Sequence, residues 1–346
     1  MSASVFLPPE WALQSAVMLT WPRRDGDFAN SFDAVEGNFF AIAVAIARFE
    51  NLHVNVADDA PGLAAKLVGA GVPKSKLRVF QVPNDDVWAR DHGPITVLRS
   101  GDAGSDHPQA VHLDFTFNGW GGKFPHLRDN ELTRRLITLG AWDAPVETVD
   151  FVLEGGAIEV DGAGSLLTTE RCLLSPTRNP KLDRAAIEAL LIDKLGVQRV
   201  LWLKHGDLLG DDTDGHIDTV ARFCNAHTIA YQACDDQDDP HYADLAAMAQ
   251  ELQQLRTPGG MPYELVPLPL PKPIVDEDGK VLPAGYANFL IVNGAVLAPV
   301  YGDANDGLAI ERLRSCFSDR EIVPIDCRAL IHQYGSLHCV TMQIPA

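Results

Sequence analysis

The sequence predicts one α/β domain over residues 1–346, built from five repeated modules, and three observations lead to this fold class. Helical patterns recur at regular intervals, a short apolar β-rich segment follows five of them, and a turn rich in Gly, Asp or His then leads into a second strand. A third strand usually comes next. Self-similarity at a period of about sixty to seventy residues is typical of a repeat architecture.

The helices are indicated by apolar residues at helical spacing and by the residues at their ends. Residues 61–70 begin at Pro61 and are followed by Gly71, an arrangement typical of a short helix. Residues 183–195 carry apolar side chains three and four positions apart and are followed by Gly196. The predicted helices, of which 127–139 has the weakest pattern, are residues 39–49, 61–70, 127–139, 183–195, 241–256 and 306–317.

The strands fall into three sets according to their place in the module. The strands that follow a helix are residues 77–83, 146–152, 198–203, 263–268 and 321–325. The second strands are residues 94–98, 157–160, 217–223, 288–292 and 339–344. The third strands of the first four modules are residues 111–117, 165–169, 228–233 and 295–300. The fifth module runs out at Ala346, and residues 16–21 near the N-terminus could complete it.

Two architectures fit this order of elements. Five βαβ-type units closed by the N-terminal strand would form a pseudo-symmetric ring, a five-bladed α/β propeller. An irregular doubly wound α/β sheet alternates helices and strands in a similar way. The pattern alone does not choose between them.

The charge of the chain narrows the class of partner. Acidic residues number 47 and basic residues 28, which gives a formal charge of −19. Such a field repels phosphate backbones and anionic lipid and attracts small cations, so it argues against nucleic-acid and membrane partners. The first thirty residues lack the pattern of a signal peptide, and the six cysteines lack a CxxC pair. We therefore expect a cytoplasmic protein with reduced thiols.

Residues suited to chemistry recur at one place in the module, the turn into the second strand. Asp91, Glu154 and His216 lie there, 63 and 62 residues apart, with Asp218 beside His216 and Cys339 in the fifth module. Equivalent positions in a pseudo-symmetric ring point to a common centre, so these residues could meet. Each also has a plainer explanation, as a turn or cap residue, a solvated acid or an interior histidine.

The acidic run from Asp211 to Asp218 also suggests a metal site, but its details do not fit one. An EF-hand loop with Gly215 at its sixth position would need an acid where Ala221 stands. A catalytic zinc site usually needs more histidines at ligand spacing than His216 provides. We therefore expect no metal at this site.

The residue types suit attack on an electrophilic carbon within a cation. A thiolate is a nucleophile, a histidine moves protons, and carboxylates hold a guanidinium through paired planar hydrogen bonds. Cys339 is favoured as the nucleophile because His338 stands beside it and because it occupies the matching module position. The other cysteines are expected to act only in packing. The surplus of acid favours a guanidinium substrate.

At these motifs the sequence resembles the agmatine deiminase (agmatine iminohydrolase) family, which is related to bacterial-type peptidylarginine deiminases. The resemblance covers nearly the whole chain from Trp21 onward, and its segments are specific together although each is weak alone. The segments are Trp21-Pro22, residues 85–94 (DDVWARDHGP), 117–122 (FNGWGG), 153–156 (LEGG), 168–174 (TTERCLL), 178–180 (RNP), 214–218 (DGHID), Asn288-Phe289 and 335–341 (GSLHCVT).

The resemblance implies a fold and a role for each residue. It implies a pentein-like five-bladed α/β propeller, with Cys339 as the covalent nucleophile and His216 as the general acid and base. Asp91 and Asp218 would grip the guanidinium, and Glu154 would bind it and support His216. Trp88 would line the substrate channel.

The implied reaction converts agmatine and water to N-carbamoylputrescine and ammonia, with no metal or organic cofactor. The partner is then a small cationic guanidino substrate, and a homo-oligomer is compatible with the sequence. Agmatine is expected to be preferred over arginine, because the motifs are dominated by acids and Arg90 is the only base near them. His92 and Tyr334 depart from the family pattern beside the chemistry, where they bear on the exact substrate.

Three other functions remain open. The first is deimination of peptidyl-arginine or of another guanidino compound. The second is hydrolysis of uncharged amides by a cysteine amidase or peptidase. The third is polyamine binding without catalysis, in which agmatine would bind and no ammonia would be released.

Overall fold

The computed structural model describes residues 4–100 and 108–346, and within these ranges it contains nine α-helices and seventeen strands. The helices are α1 Phe32–Ala47, α2 Ala60–Gly69, α3 Ala89–His92, α4 Gly119–Gly122, α5 Leu132–Thr138, α6 Glu170–Leu173, α7 Arg184–Leu195, α8 Tyr242–Gln254 and α9 Asp306–Cys316. Among the helices of these ranges, none has both the length and the apolar character needed to cross a membrane.

The strands are short and lie between these helices. They are β1 Val5–Phe6, β2 Gln14–Thr20, β3 Asn51–Val56, β4 Leu77–Gln81, β5 Ile95–Arg99, β6 Gln109–Thr116, β7 Val146–Val152, β8 Glu159–Val160, β9 Ser165–Thr169, β10 Arg199–Leu203, β11 Ala221–Asn225, β12 Thr228–Gln232, β13 Glu264–Leu268, β14 Leu290–Val292, β15 Ala295–Val300, β16 Glu321–Asp326 and β17 Thr341–Pro345.

Over the described ranges the strands form five sheets of similar design. In four of them an antiparallel pair is followed by a helix that crosses over to a third, parallel strand. These sheets are β5-β6-β7 with β1 at its edge, β8-β9-β10, β11-β12-β13 and β14-β15-β16, with α5, α7, α8 and α9 as their crossovers. The remaining sheet is β17-β2-β3-β4, in which β17 runs antiparallel to β2 and the other neighbours are parallel.

The mixed α/β class that the sequence predicts is confirmed, although the predicted modules are out of phase with the sheets. The strand after each crossover helix pairs with the third strand of the preceding module, so a sheet takes strands from two predicted modules. The first helix begins at Phe32 rather than at residue 39. The sequence analysis also missed β3, whose segment NLHVNV lies beside β2 with five of its six residues buried.

Helix α7 shows how local sequence sets these elements. The Asp183 side chain accepts a hydrogen bond from the Ala186 N–H at 2.9 Å and caps the first turn. The helix buries one apolar stripe, which is Ile187, Leu191 and Leu195. It ends at Gly196, whose φ of +70° is left-handed and whose missing Cβ would lie 1.9 Å from the Val5 carbonyl oxygen. The chain therefore turns at this point, and the next strand, β10, lies beside β9.

The elements that matter for the site are four turns, three of them helical, that lead into strands of four sheets. Helix α3 precedes β5, and 3-10 turns at residues 155–157 and 217–219 precede β8 and β11. Cys339 precedes β17 by two residues. Each of the turns that the sequence analysis singled out for its chemistry thus leads into a strand of an antiparallel pair.

Candidate active site

The five predicted catalytic residues and Trp88 are all buried, with exposures between 0% and 5%. Asp91 lies in α3, Glu154 and His216 stand at the N-terminal ends of the two 3-10 turns, and Asp218 lies within the second of them. Charged side chains are rarely buried to this degree unless they are paired or serve a function. Their contacts therefore indicate what the site can do.

Asp91 is held by two donors and faces the histidine. Its Oδ2 accepts from the Trp120 indole N–H at 3.0 Å, and its Oδ1 accepts from the Gly156 backbone N–H at 3.1 Å. The same Oδ1 lies 3.6 Å from His216 Nδ1. Burial, reinforced by the charges of Asp218 and Glu154, raises the pKa of Asp91 to about 6.

Gly156 marks the point where three of these groups converge. A Cβ built on it would lie 2.6 Å from His216 Nδ1, 2.9 Å from Asp91 Oδ1 and 3.2 Å from Asp218 Oδ1. No side chain fits in that space. The second glycine of the LEGG motif therefore lets an imidazole and two carboxylates approach one another.

Cys339 stands beside two polar side chains. Its Sγ lies 3.4 Å from Asn288 Oδ1 and 3.9 Å from Asp218 Oδ2. Asn288 Oδ1 also accepts from the backbone N–H groups of His338 and Cys339, which fixes the turn that presents the sulfur. Burial, together with the negative charges of Asp218 and Asp91, raises the pKa of Cys339 well above its ordinary value. The thiol is therefore neutral when no cation is bound.

His216 has the opposite tendency. Burial alone would lower its pKa, but the carboxylate of Asp91 and the nearby Cys172 and Glu154 outweigh that effect and raise the pKa well above the ordinary value. Neither ring nitrogen has a hydrogen-bond partner among the described residues. A proton on His216 is thus stabilised by charge, and its N–H groups are free to act on a ligand.

Two further oxygens of the site have no hydrogen-bond partner in the described part of the chain. They are Glu154 Oε2 and Asp218 Oδ1. An unpaired buried polar atom costs about 1–3 kcal/mol, and more when it is charged, so a water, an ion or a ligand that pairs with it is stabilised. A ligand that carries several N–H donors and a positive charge would satisfy them.

A cavity of about 410 Å³ leads to these groups. Asp91 and Cys339 line it, and Trp88 forms part of its wall. Its other lining residues are aromatic or acidic for the most part: Trp120, Phe124, Tyr334, Asp27, Asp86 and Asp212, with Thr213, Gln333 and Gly335. A second cavity of about 510 Å³ is lined instead by Glu10, Arg90 and Glu159 among others.

Sequence reasoning missed a buried arginine at the site. Arg178 Nε donates to Glu154 Oε1 at 3.0 Å, and its Nη1 bonds Asp214. The prediction that Arg90 is the only nearby base is therefore wrong. The Arg90 side chain turns away toward Gln343 and Glu10 because its neighbour Asp91 takes the inward position in the short helix. The RNP segment was the available signal for Arg178.

Trp120, Asn288 and Cys172 also belong to the site without having been singled out for it. The FNGWGG and NF segments that carry Trp120 and Asn288 were noted, but no role was attached to them. Cys172 was expected to act only in packing, yet its sulfur lies within 4.8 Å of donor atoms of Glu154 and His216. Burial raises the pKa of this thiol as well.

Two groups in the described ranges have donor atoms close enough to bind one ion. The first is Glu154, Cys172 and His216, and the second is Glu10, Glu159 and His338, each with atoms within 4.8 Å of one another. Arg222 bonds both glutamates of the second group, so its own charge occupies that position. In the loop at Asp211, that carboxylate accepts the N–H groups of Thr213 and Gly215.

Comparison with known proteins identifies the family. The model of the Porphyromonas-type peptidyl-arginine deiminase family matches residues 6–345. The agmatine deiminase of Stutzerimonas stutzeri is 37% identical over 99% of this chain and 95% of its own. A solved structure from Porphyromonas gingivalis assigned as an arginine deiminase is 49% identical, with a TM-score of 0.90 over 99% of this chain and 98% of its own.

A third relative is the agmatine deiminase of C. jejuni, solved as a cysteine-to-serine variant with substrate bound. It is 32% identical, with a TM-score of 0.90, and the match covers 99% of this chain and 97% of the other. The family that the motifs indicated is thus confirmed along the whole sequence. The chain belongs to the family of agmatine deiminases and Porphyromonas-type peptidyl-arginine deiminases.

Proposed function

We propose that this protein is an agmatine deiminase that hydrolyses agmatine to N-carbamoylputrescine and ammonia through a covalent cysteine intermediate. The observation that carries the proposal is the convergence of a thiol, an imidazole and three carboxylates, with unpaired oxygens on Glu154 and Asp218. Guanidino-group hydrolysis is the chemistry that this set serves best. The relatedness to agmatine deiminases supports the same substrate.

Binding comes first. The planar guanidinium places its N–H groups against Asp91, Asp218 Oδ1 and Glu154 Oε2. Charge-assisted hydrogen bonds of this kind are short and roughly twice as strong as neutral ones. Arg178 holds the other oxygen of Glu154, which fixes the direction of the free one.

The bound cation then activates the nucleophile. Without it, burial and two carboxylates keep Cys339 protonated. A positive charge beside the sulfur favours the thiolate, because an opposite charge stabilises an ionised group. The thiol proton leaves to solvent as the cation enters, so the net charge of the site changes little.

The thiolate attacks the central guanidinium carbon and forms a C–S bond. The protonated His216 gives its proton to the departing nitrogen, the C–N bond breaks, and ammonia leaves. Neutral His216 next takes a proton from a water molecule, which adds to the same carbon. The proton of the added hydroxyl passes to the sulfur as the C–S bond breaks, and N-carbamoylputrescine and the thiol of Cys339 are released. The reaction written this way uses no metal or organic cofactor.

The cavity suits the rest of agmatine. Aromatic walls, including Trp88, can pack against the butyl chain, and the acids Asp27, Asp86 and Asp212 suit its far ammonium group.

We further propose that the five sheets of the described chain form a five-bladed ring, a single catalytic domain that β2 closes by pairing with β17. A cytoplasmic location and a homo-oligomeric state remain predictions from the sequence.

The second candidate is deimination of arginine or peptidyl-arginine. The family model and the 49% identical Porphyromonas gingivalis structure favour it. So does Lys280, whose Nζ lies 3.9 Å from the ring centroid of Tyr334 in the cavity wall. A cation there could meet a carboxylate, which the acids of the cavity would otherwise repel.

The deciding experiment measures ammonia release from agmatine, free arginine and a peptide with C-terminal arginine side by side. We expect agmatine to have the highest kcat/KM by at least tenfold, because an unpaired buried carboxylate typically costs several kcal/mol. Comparable values for arginine would refute the agmatine assignment and leave the guanidinium chemistry standing. Citrulline formation in the peptide would favour the second candidate. The matched variant is Lys280→Ala, which removes the cation beside Tyr334 and is assayed with the same three substrates.

A further inference from the structure

A row of buried charged side chains lies behind the carboxylates of the site. His338 is 1% exposed, and its ring nitrogens face two carboxylates: Nδ1 lies 2.6 Å from Asp218 Oδ2, and Nε2 lies 2.7 Å from Glu10 Oε2. An ionised carboxylate can only accept hydrogen bonds. When both carboxylates are ionised, both ring nitrogens must donate, and His338 is then an imidazolium.

Glu10 is the fixed end of this row. Its Oε1 accepts from the Ile291 backbone N–H at 2.7 Å, and its Oε2 also accepts from Arg222 Nη2 at 2.8 Å. Burial alone would raise the pKa of Glu10, but the charges of Arg222 and His338 outweigh it and hold the pKa below the ordinary value. Glu10 therefore stays ionised at neutral pH and continues to accept the hydrogen bond from His338.

Asp218 is the end of the row that faces the candidate active site. His338 engages its Oδ2, while its Oδ1 is unpaired in the described structure and faces the point where His216 and Asp91 converge. Burial would raise the pKa of Asp218, yet the hydrogen bond and charge of His338 bring it below the ordinary value. Asp91 faces His216 Nδ1 only at 3.6 Å, without a hydrogen bond to it, and burial raises its pKa to about 6 despite that charge.

We propose that His338 is a positioning residue for the deimination, which keeps Asp218 ionised and directs its free oxygen toward the guanidinium, while Glu10 anchors the imidazolium. The inference rests on the proposed function, in which Asp218 binds the guanidinium. His338 acts through Asp218 and need not touch the substrate.

The charged and titratable groups around His338 define the variants. Glu10 and Asp218 bond its ring, and Arg90 Nε lies 3.5 Å from its carbonyl oxygen. Glu159 and Arg222 complete the cluster. Cys339 Sγ lies 3.9 Å from the Asp218 oxygen that His338 bonds, and His216 lies beside the other oxygen around Gly156. Glu10→Gln keeps the shape and removes the anchoring charge, and His338→Gln removes the imidazolium. Glu159→Gln is the matched control, because it removes a carboxylate that lies within 4.8 Å of His338 but hydrogen-bonds Arg222 instead of the imidazole.

Glu10→Gln should raise KM for agmatine at least tenfold at pH 7 and change kcat less than threefold. Its acid limb of kcat/KM should move to higher pH and become steeper, because Asp218 now takes up a proton there as well as Asp91. His338→Gln should act in the same direction. Glu159→Gln should leave both the limb and KM unchanged. Thermal unfolding midpoints show which variants are folded.

A second measurement does not depend on turnover. The guanidinium ion itself is titrated into each protein while the rate of Cys339 alkylation by iodoacetamide is measured. The recorded quantity is the guanidinium concentration at which this rate has completed half of its change. At least a tenfold rise in this concentration for Glu10→Gln supports the inference, even if the wild-type protein releases no ammonia from agmatine and the proposed function fails. An unchanged concentration, or a pH profile identical to that of Glu159→Gln, overturns it.

Discussion

Replacing Gly156 by alanine tests whether the convergence point is the reaction centre. The added methyl would lie 2.6 Å from His216 Nδ1 and 2.9 Å from Asp91 Oδ1, against about 3.4 Å for an ordinary contact. The two side chains would have to retreat by about 0.8 and 0.5 Å. A misplacement of about 1 Å typically costs 10²-fold in rate, so we expect kcat/KM to fall by about that factor.

The assay is ammonia release over a range of agmatine concentrations, with urea unfolding as the measure of stability. Gly37→Ala is the matched control, because it makes the same chemical change in helix α1, where a Cβ would have nothing within 4 Å. That control should keep full activity and gain about 0.5–1 kcal/mol of stability. If Gly156→Ala keeps kcat/KM within threefold of the wild-type value, the groups around Gly156 are not the reaction centre.

Three other perturbations have definite expected outcomes. Cys339→Ser should lower ammonia release about a thousandfold or more and abolish any substrate adduct detected by mass spectrometry, whereas Cys327→Ser should keep activity. A normal rate in Cys339→Ser would show that the nucleophile is another group. The kcat/KM of the wild-type protein should fall as the pH drops through about 6, because Asp91 takes up a proton there and loses the charge that holds the guanidinium; a profile that is flat down to about pH 5 would contradict this. Arg178→Gln leaves Glu154 buried without its cation, which should cost about 3–5 kcal/mol in urea unfolding, and a loss below about 1 kcal/mol would mean that water or another base replaces the arginine.

Residues that occupy the same phase of the repeat could be predicted from the sequence. Asp91, Glu154, His216 and Cys339 each lie in or at the start of the turn that leads into a strand of an antiparallel pair, so regular spacing was enough to group them. Spacing said nothing about Arg178, because it lies after α6, outside any turn of that kind. It reaches Glu154 only through its long side chain.

The strand β3 shows a second limit of sequence reasoning. Its polar residues His53 and Asn55 alternate with apolar ones, a pattern that predicts a strand with its polar face exposed to solvent. Both side chains are buried all the same. The pairing of crossover strands with the preceding module was out of reach for a related reason, since which strands lie side by side depends on long-range contacts that local patterns do not record.

The pairing of β17 with β2 has a consequence for how the protein is made. Thr341 lies opposite Leu19, so the strand that follows Cys339 pairs with a strand that is synthesised much earlier. Until translation has passed Pro345, β2 has no antiparallel neighbour and Cys339 has no cage of carboxylates. Contacts of such sequence separation form slowly, which leaves the exposed edge of β2 to be shielded during synthesis.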